Sequence, residues 1–315
     1  MGAAWAVAFA RAGHAVALFD SSSEQIHKHA LPHAHRTLDL LSRAGFLEEG
    51  TGRVLARIDV AGSIADAVAE ADYVQESVRE DVAIKRDVFS EIAAHARPDT
   101  VLASSTSAIR GSEFLGHISH PERALVAHPV NPPSLIPLVE ICATNRTHAD
   151  VVSRTKDFLT EIGMTPVVVR KEIDGFLLNR LQYTLVAEAL HLVGEGYCSA
   201  EDIDLIITDG LAPRWASIGP FAVAHLNSSG GFLGFVDQLG PMMKRIGQDA
   251  RTDYPWDMDL ARTIHAALAE RIPVSDIPEH QDRRDAQILA ARKIQRHAKS
   301  QHVEPTRTHT DPRSR

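Results

Sequence analysis

The chain has 315 residues, 44% hydrophobic and 23% charged, which is enough to bury a large core and to form two domains. Its formal net charge of -8 gives no basis for a nucleic-acid or anionic-membrane surface, although the C-terminal stretch is locally basic. Cys142 and Cys198 are too few for a disulfide framework or a thiolate metal site, a reducing cytoplasm fits that usage, and no run approaches the roughly 18 apolar residues of a membrane span.

In chain order, Gly2 opens a helical segment rich in small residues, which ends at Gly13-His14 and leads to a strand over 15–19 closed by Asp20. Dinucleotide folds begin with a strand, a G-x-G-x-x-G turn and a helix, because glycines let the backbone approach a pyrophosphate at the helix N-terminus. Gly2 fits the third glycine of that turn. The opening strand and the first two glycines are therefore expected ahead of it, outside these 315 residues. Asp20 follows 18 residues on, where an acid accepts hydrogen bonds from the adenosine ribose and repels a 2′-phosphate, so NAD is expected rather than NADP. Without that context such an Asp is an ordinary solvated turn residue.

Further strands are predicted over 54–60, 72–75, 101–103, 124–127, 138–141 and 166–169, with helices between them. One helix starts at Ser63-Ile64-Ala65-Asp66, a capping pattern. The alternation is that of a doubly wound parallel sheet, an α/β Rossmann-type domain over 1–170. Beyond it the strand signal stops. Helical periods over 175–195, 199–208, 216–227, 231–246 and 285–299 predict an all-α domain over 171–315, with the last dozen residues expected to be disordered. His27, His29, His33 and His35 suggest a ligand cluster, but Pro32 is expected to interrupt any helix that would align them, and no metal site is predicted. Cys142 reads as a small core residue.

Several segments carry a family signature in combination: Tyr73-Val74-Gln75-Glu76-Ser77-Val78 with Glu80 and Lys85; Ala103-Ser104-Ser105-Thr106-Ser107; His128-Pro129-Val130-Asn131-Pro132-Pro133; Pro137-Leu138-Val139-Glu140; Lys171-Glu172-Ile173-Asp174-Gly175-Phe176 running to Asn179-Arg180; and Asp209-Gly210-Leu211 leading to Arg214-Trp215. Together they resemble the 3-hydroxyacyl-CoA dehydrogenase superfamily, more closely its lambda-crystallin or L-gulonate 3-dehydrogenase branch, over nearly the whole chain.

The resemblance implies NAD-dependent oxidation of an L-3-hydroxy acid to the 3-keto acid, with His128 as proton acceptor and Glu140 as its partner. Local chemistry agrees with those roles. An alcohol gives up a hydride only if its hydroxyl proton also leaves, and an imidazole can take that proton. His128 and Glu140 flank a Pro-rich loop whose hairpin-like return would set them side by side, so that the carboxylate orients the imidazole. In a chain with 17 histidines, a lone His would more often cap a strand.

The resemblance further implies that the Ser107 hydroxyl meets the substrate's 3-oxygen, where otherwise it would cap a turn. Asn179 contacts substrate and His128, and Asn131 lies with the substrate. Glu76, Ser77, Glu80 and Lys85 stand on the nicotinamide side, although Glu80 and Lys85 read equally as a solvated pair on a helix. Arg214 is a candidate anchor for a substrate carboxylate, with a surface role as its rival. A small-molecule substrate and a homodimer are implied, since helices this apolar need covering. An L-3-hydroxyacyl-CoA, carnitine, and a non-catalytic crystallin-like role on the same fold are the alternatives.

Overall fold

The computed structural model describes residues 1–301, with side chains as far as residue 297, so the disorder expected over the last dozen residues falls outside the described part. The chain divides into two compact units, Met1–Leu185 and Val186–Arg315.

In the first unit, α1 (Gly2–Arg11) turns through Gly13, at φ +100°, into β1 (Val16–Leu18). There follow α2 (Ser23–Gln25), a π-helical turn (Ile26–Ala30), α3 (Leu31–Arg43), α4 (Thr51–Leu55), β2 (Ile58–Val60), α5 (Ile64–Val68) and β3 (Tyr73–Glu76). Next come α6 (Val82–His95), β4 (Val101–Ser104), β5 (Ala124–Pro129), β6 (Leu138–Ala143), α7 (Ala149–Glu161) and β7 (Thr165–Val169). The start of α8 (Leu178–Gly194) also belongs to this unit. The Ser63 side chain caps α5 by accepting from the Asp66 N–H, as its sequence predicts.

Two local expectations are corrected. The strand predicted over 54–60 is only Ile58–Val60, because Val54 is buried on α4 instead. Pro32 does not interrupt its helix. It follows directly on the π-helical turn that joins α2 to α3, and the wider turn carries the helical backbone of Ala30 and Leu31 through the residue that lacks an N–H.

The strands form a two-stranded parallel sheet, β1-β2, and a five-stranded sheet in the order β3-β4-β5-β6-β7. Every pair is parallel except β5 and β6. Helix α1 packs against both β1 and β3, the edge strands of the two sheets. Period-2 alternation sends side chains to two apolar layers. Val101, Ala103, Leu125, Ala127, Val139 and Ile141 join Trp5 and Leu159 on one face. Leu102, Ala124, Val126 and Cys142 join Phe89, Phe114 and Phe176 on the other.

The second unit contains the rest of α8, then α9 (Ala200–Leu205), a π-helical turn (Ile206–Leu211), α10 (Ala212–Trp215), α11 (Pro220–Leu226), α12 (Gly231–Asp249), α13 (Met258–Arg271) and α14 (Ile277–Gln301). The helix predicted over 216–227 forms only from Pro220, because Gly219 caps a fresh start there in extended conformation. The helix predicted over 285–299 begins earlier, at Ile277. Among the described residues of this unit, the buried apolar side chains are Ala187 and Leu289, while Phe221 and Leu233 are 77% and 82% exposed. No helix among the described residues is long and apolar enough to cross a membrane.

Candidate active site

The chemistry-bearing residues of the first unit gather at one end of the five-stranded sheet, where β3, β4 and β5 finish and β6 begins. The antiparallel β5–β6 register sets His128 directly opposite Glu140. His128 shares its strand face with Ala124 and Val126, and Glu140 shares its face with Cys142, so both polar side chains occupy positions that period-2 patterning otherwise fills with core residues. His128 Nδ1 lies 2.9 Å from Glu140 Oε2, and the two residues are 4% and 1% exposed. With the carboxylate accepting at Nδ1, the neutral imidazole presents the Nε2 lone pair as its basic site.

The other carboxylate oxygen is occupied too. Glu140 Oε1 accepts from the backbone N–H groups of Leu177 at 2.8 Å and Leu178 at 3.0 Å. Two consecutive residues in the left-handed region, Gly175 at φ +73° and Phe176 at φ +49°, turn those amides toward the carboxylate. For Phe176 that backbone carries strain, and its fully buried ring lies 5.3 Å from the His128 ring.

Ser107 follows β4. Its N–H and that of Ala108 donate to Glu80 Oε1 at 2.9 and 3.0 Å, as does the Thr106 hydroxyl. Asn179 Nδ2 donates to the Ser107 carbonyl at 2.7 Å. Asn179 therefore meets the serine backbone, and among the described residues the Ser107 hydroxyl makes no hydrogen bond and is exposed. Burial by itself would raise the Glu80 pKa. The Thr106 hydroxyl, the Ala108 N–H, the Lys85 charge and the Ser107 N–H outweigh it and hold the carboxyl below its ordinary value.

Lys85 is not part of a solvated pair. Its side chain is 1% exposed, with Nζ at 3.0 and 3.2 Å from the oxygens of buried Glu76 and 3.5 Å from Glu80. The Ser104 hydroxyl donates to Glu76 Oε2 at 2.6 Å, and the Lys85 ammonium lies 5.8 Å from the Phe114 ring centroid. Glu76, Lys85 and Ser104 thus form a buried, internally paired cluster beneath the loop that carries Ser107.

The remaining predicted residues are more open. Ser77 is half-buried beside the start of α1, where a Cβ built on Gly2 would lie 3.9 Å from the Ser77 Cβ, an ordinary contact. Asp20 is exposed after β1 and accepts from the Ser22 N–H at 2.9 Å. A glycine at a helix start, an adjacent hydroxyl and an acid at the neighbouring strand end are a donor and acceptor set that fits a dinucleotide. Asn131 is exposed in the β5–β6 loop. Arg214 is exposed on α10 of the second unit. Sequence reasoning missed the Leu177 and Leu178 amides, for which Asp174-Gly175 ahead of a helix was the available turn signal. It also missed that Trp5, Gln75 and Ser77 meet at the Ser105 hydroxyl, a contact between residues far apart in the chain.

Comparison with known proteins matches residues 1–173 to the 3-hydroxyacyl-CoA dehydrogenase NAD binding domain and residues 175–264 to the 3-hydroxyacyl-CoA dehydrogenase C-terminal domain. The lambda-crystallin homolog of Bos taurus is 37% identical over 298 residues, spanning 94% of this chain and 89% of that protein. An L-carnitine dehydrogenase of Pseudomonas sp is 41% identical over 194 residues, spanning 61% of this chain and 60% of that protein. Among solved structures, 5-formyl-3-hydroxy-2-methylpyridine 4-carboxylic acid 5-dehydrogenase, an NAD+ dependent dismutase, matches with a TM-score of 0.80 at 29% identity, covering 93% of this chain and 94% of that one.

Proposed function

Since the chain belongs to the 3-hydroxyacyl-CoA dehydrogenase family and is an NAD-dependent oxidoreductase, we propose that it oxidises the 3-hydroxyl of a small L-3-hydroxy acid, L-gulonate or a similar compound, to the ketone. The observation that carries this reading is the buried His128–Glu140 hydrogen bond at the sheet end. When bound, NAD supplies the hydride acceptor. His128 Nε2 takes the hydroxyl proton, and Glu140 stabilises the imidazolium that forms while keeping the ring oriented. Ser107 binds the 3-oxygen, and Asn179 holds the Ser107 backbone at its carbonyl. Asn131 and Arg214 serve the rest of the substrate, Arg214 as a bidentate partner for a carboxylate. Gly2, Asp20 and Ser77 hold the dinucleotide, with Glu76, Glu80 and Lys85 supporting its nicotinamide side from below.

We assign residues 1–170 to cofactor binding and 171–315 to a helical domain that pairs with a second copy. The sparse core and exposed apolar side chains of the second unit support that homodimer. A reducing cytoplasm remains the proposed location.

The runner-up substrate is an L-3-hydroxyacyl-CoA, favoured by the name of the matching family, and carnitine follows from the 41% identical relative. Purified protein with NAD should be assayed for NADH formation with L-gulonate, L-carnitine and L-3-hydroxybutyryl-CoA. Turnover of L-gulonate supports the small-acid reading, and turnover of the acyl-CoA alone overturns it. No turnover of any 3-hydroxy compound points to the crystallin-like, non-catalytic role.

A further inference from the structure

Behind Ser77 runs a chain of hydrogen bonds whose direction is fixed by its donors. The Tyr73 hydroxyl donates to Gln75 Oε1 at 2.8 Å, and burial pushes the Tyr73 pKa up so that the phenol keeps its proton. With Oε1 engaged, the Gln75 amide directs Nε2 to Ser105 Oγ at 2.8 Å and to the Ala127 carbonyl at 3.2 Å. Trp5 Nε1, which can only donate, reaches the same Ser105 oxygen at 3.1 Å. Both lone pairs of that oxygen are then taken. Ser105 is 7% exposed, and among the described residues the acceptor for its own proton is Ser77 Oγ, 3.0 Å away.

The opposite direction would crowd three donors onto one oxygen and leave a buried hydroxyl proton unmatched, which costs about 1–3 kcal/mol. Ser77 therefore accepts from Ser105. The Ser77 proton is left over, beside Gly2 at the start of α1, with no further acceptor among the described residues.

We propose that Trp5, Tyr73, Gln75 and Ser105 are positioning residues that set Ser77 as a hydrogen-bond donor to an acceptor oxygen of the bound nicotinamide dinucleotide. This rests on the NAD-binding reading of the site and adds to it the direction of the bond and the residues that impose it. A hydroxyl whose polarity is set in advance binds an acceptor without reorganising, so the affinity of Ser77 for its ligand depends on side chains that do not touch the ligand.

A double-mutant cycle on the full chain tests it, with NAD affinity read by calorimetry. Ser77→Ala weakens binding by about fivefold, Ser105→Ala weakens it comparably, and the double variant binds no more weakly than Ser77→Ala alone. Ser105→Thr, which keeps the hydroxyl, restores affinity. Should Ser105→Ala fail to fold, Tyr73→Phe keeps the ring and removes only the first donor; it weakens binding by about twofold in the wild-type background and not at all in Ser77→Ala. Additive losses, or wild-type affinity in Ser77→Ala, overturn the relay alone. A wild-type chain that binds no NAD overturns both the relay and the proposed function.

Discussion

Glu140 accepts the Leu177 N–H at 2.8 Å with the oxygen that His128 does not use. One carboxylate thus fixes the imidazole on β5 and the turn that starts α8, so a change at Glu140 acts on orientation and folding together. Glu140→Gln puts amide hydrogens against donors on one side or the other. It is expected to cost about 2–4 kcal/mol of stability and to lower kcat by about a hundredfold or more, measured by thermal melting and steady-state kinetics. Unchanged kcat would remove Glu140 as the partner of the base.

His128→Ala should separate chemistry from binding. The rate of 3-hydroxyl oxidation is expected to fall by about 100- to 10,000-fold, while NAD affinity by calorimetry stays at the wild-type value. Oxidation that survives the substitution would show that another group takes the proton.

The Glu80 carboxyl is held below its ordinary value of 4.5, so its ionised form stabilises the folded chain. That stabilisation is complete above the ordinary value and is lost as pH falls through the lower, folded one. The melting temperature of Glu80→Gln should therefore lie furthest below wild type at neutral pH, with the gap closing in acid. Because the Glu80 side chain is 39% exposed, the effect is modest. A gap that stays constant between neutral and strongly acid pH would show that the carboxylate is not held this way.

Burial, with the negative charges of Glu172 and Glu140 adding to it, pushes the Cys142 thiol up to about 12. Alkylation of the native protein at mildly alkaline pH should therefore modify half-buried Cys198 and spare Cys142, with both modified after unfolding. Peptide mass spectrometry distinguishes the two sites, and labelling of Cys142 in the native state would contradict its burial.

Leu233 on α12 is 82% exposed in a unit with few buried apolar side chains. If a second copy covers that unit, sedimentation should give twice the chain mass, and Leu233→Glu should shift the equilibrium toward monomer or unfolded chain. A stable, soluble monomer at micromolar concentration would rule out the dimer.

The α/β alternation, the helical second half and the facing of His128 and Glu140 were legible in the chain, because strand period, cap residues and a Pro-rich return are properties of neighbouring residues. Val54 was misread because a short apolar run suits a buried turn of helix as well as a strand. Pro32 has the sequence look of a helix breaker, but the π-helical turn ahead of it carries the helix through. Lys85 could not be placed by sequence, since an i+5 relation to Glu80 says nothing of the Glu76 carboxylate that buries it. The same holds for the bond from Trp5 to Ser105, 100 residues apart, and for the turn at Phe176 that sends two amides to Glu140. Local pattern determined which elements form and which residue types stand at their ends. Only tertiary structure decided which of those groups share a proton, because a buried hydrogen bond is chosen by whichever partner the packing brings within 3 Å.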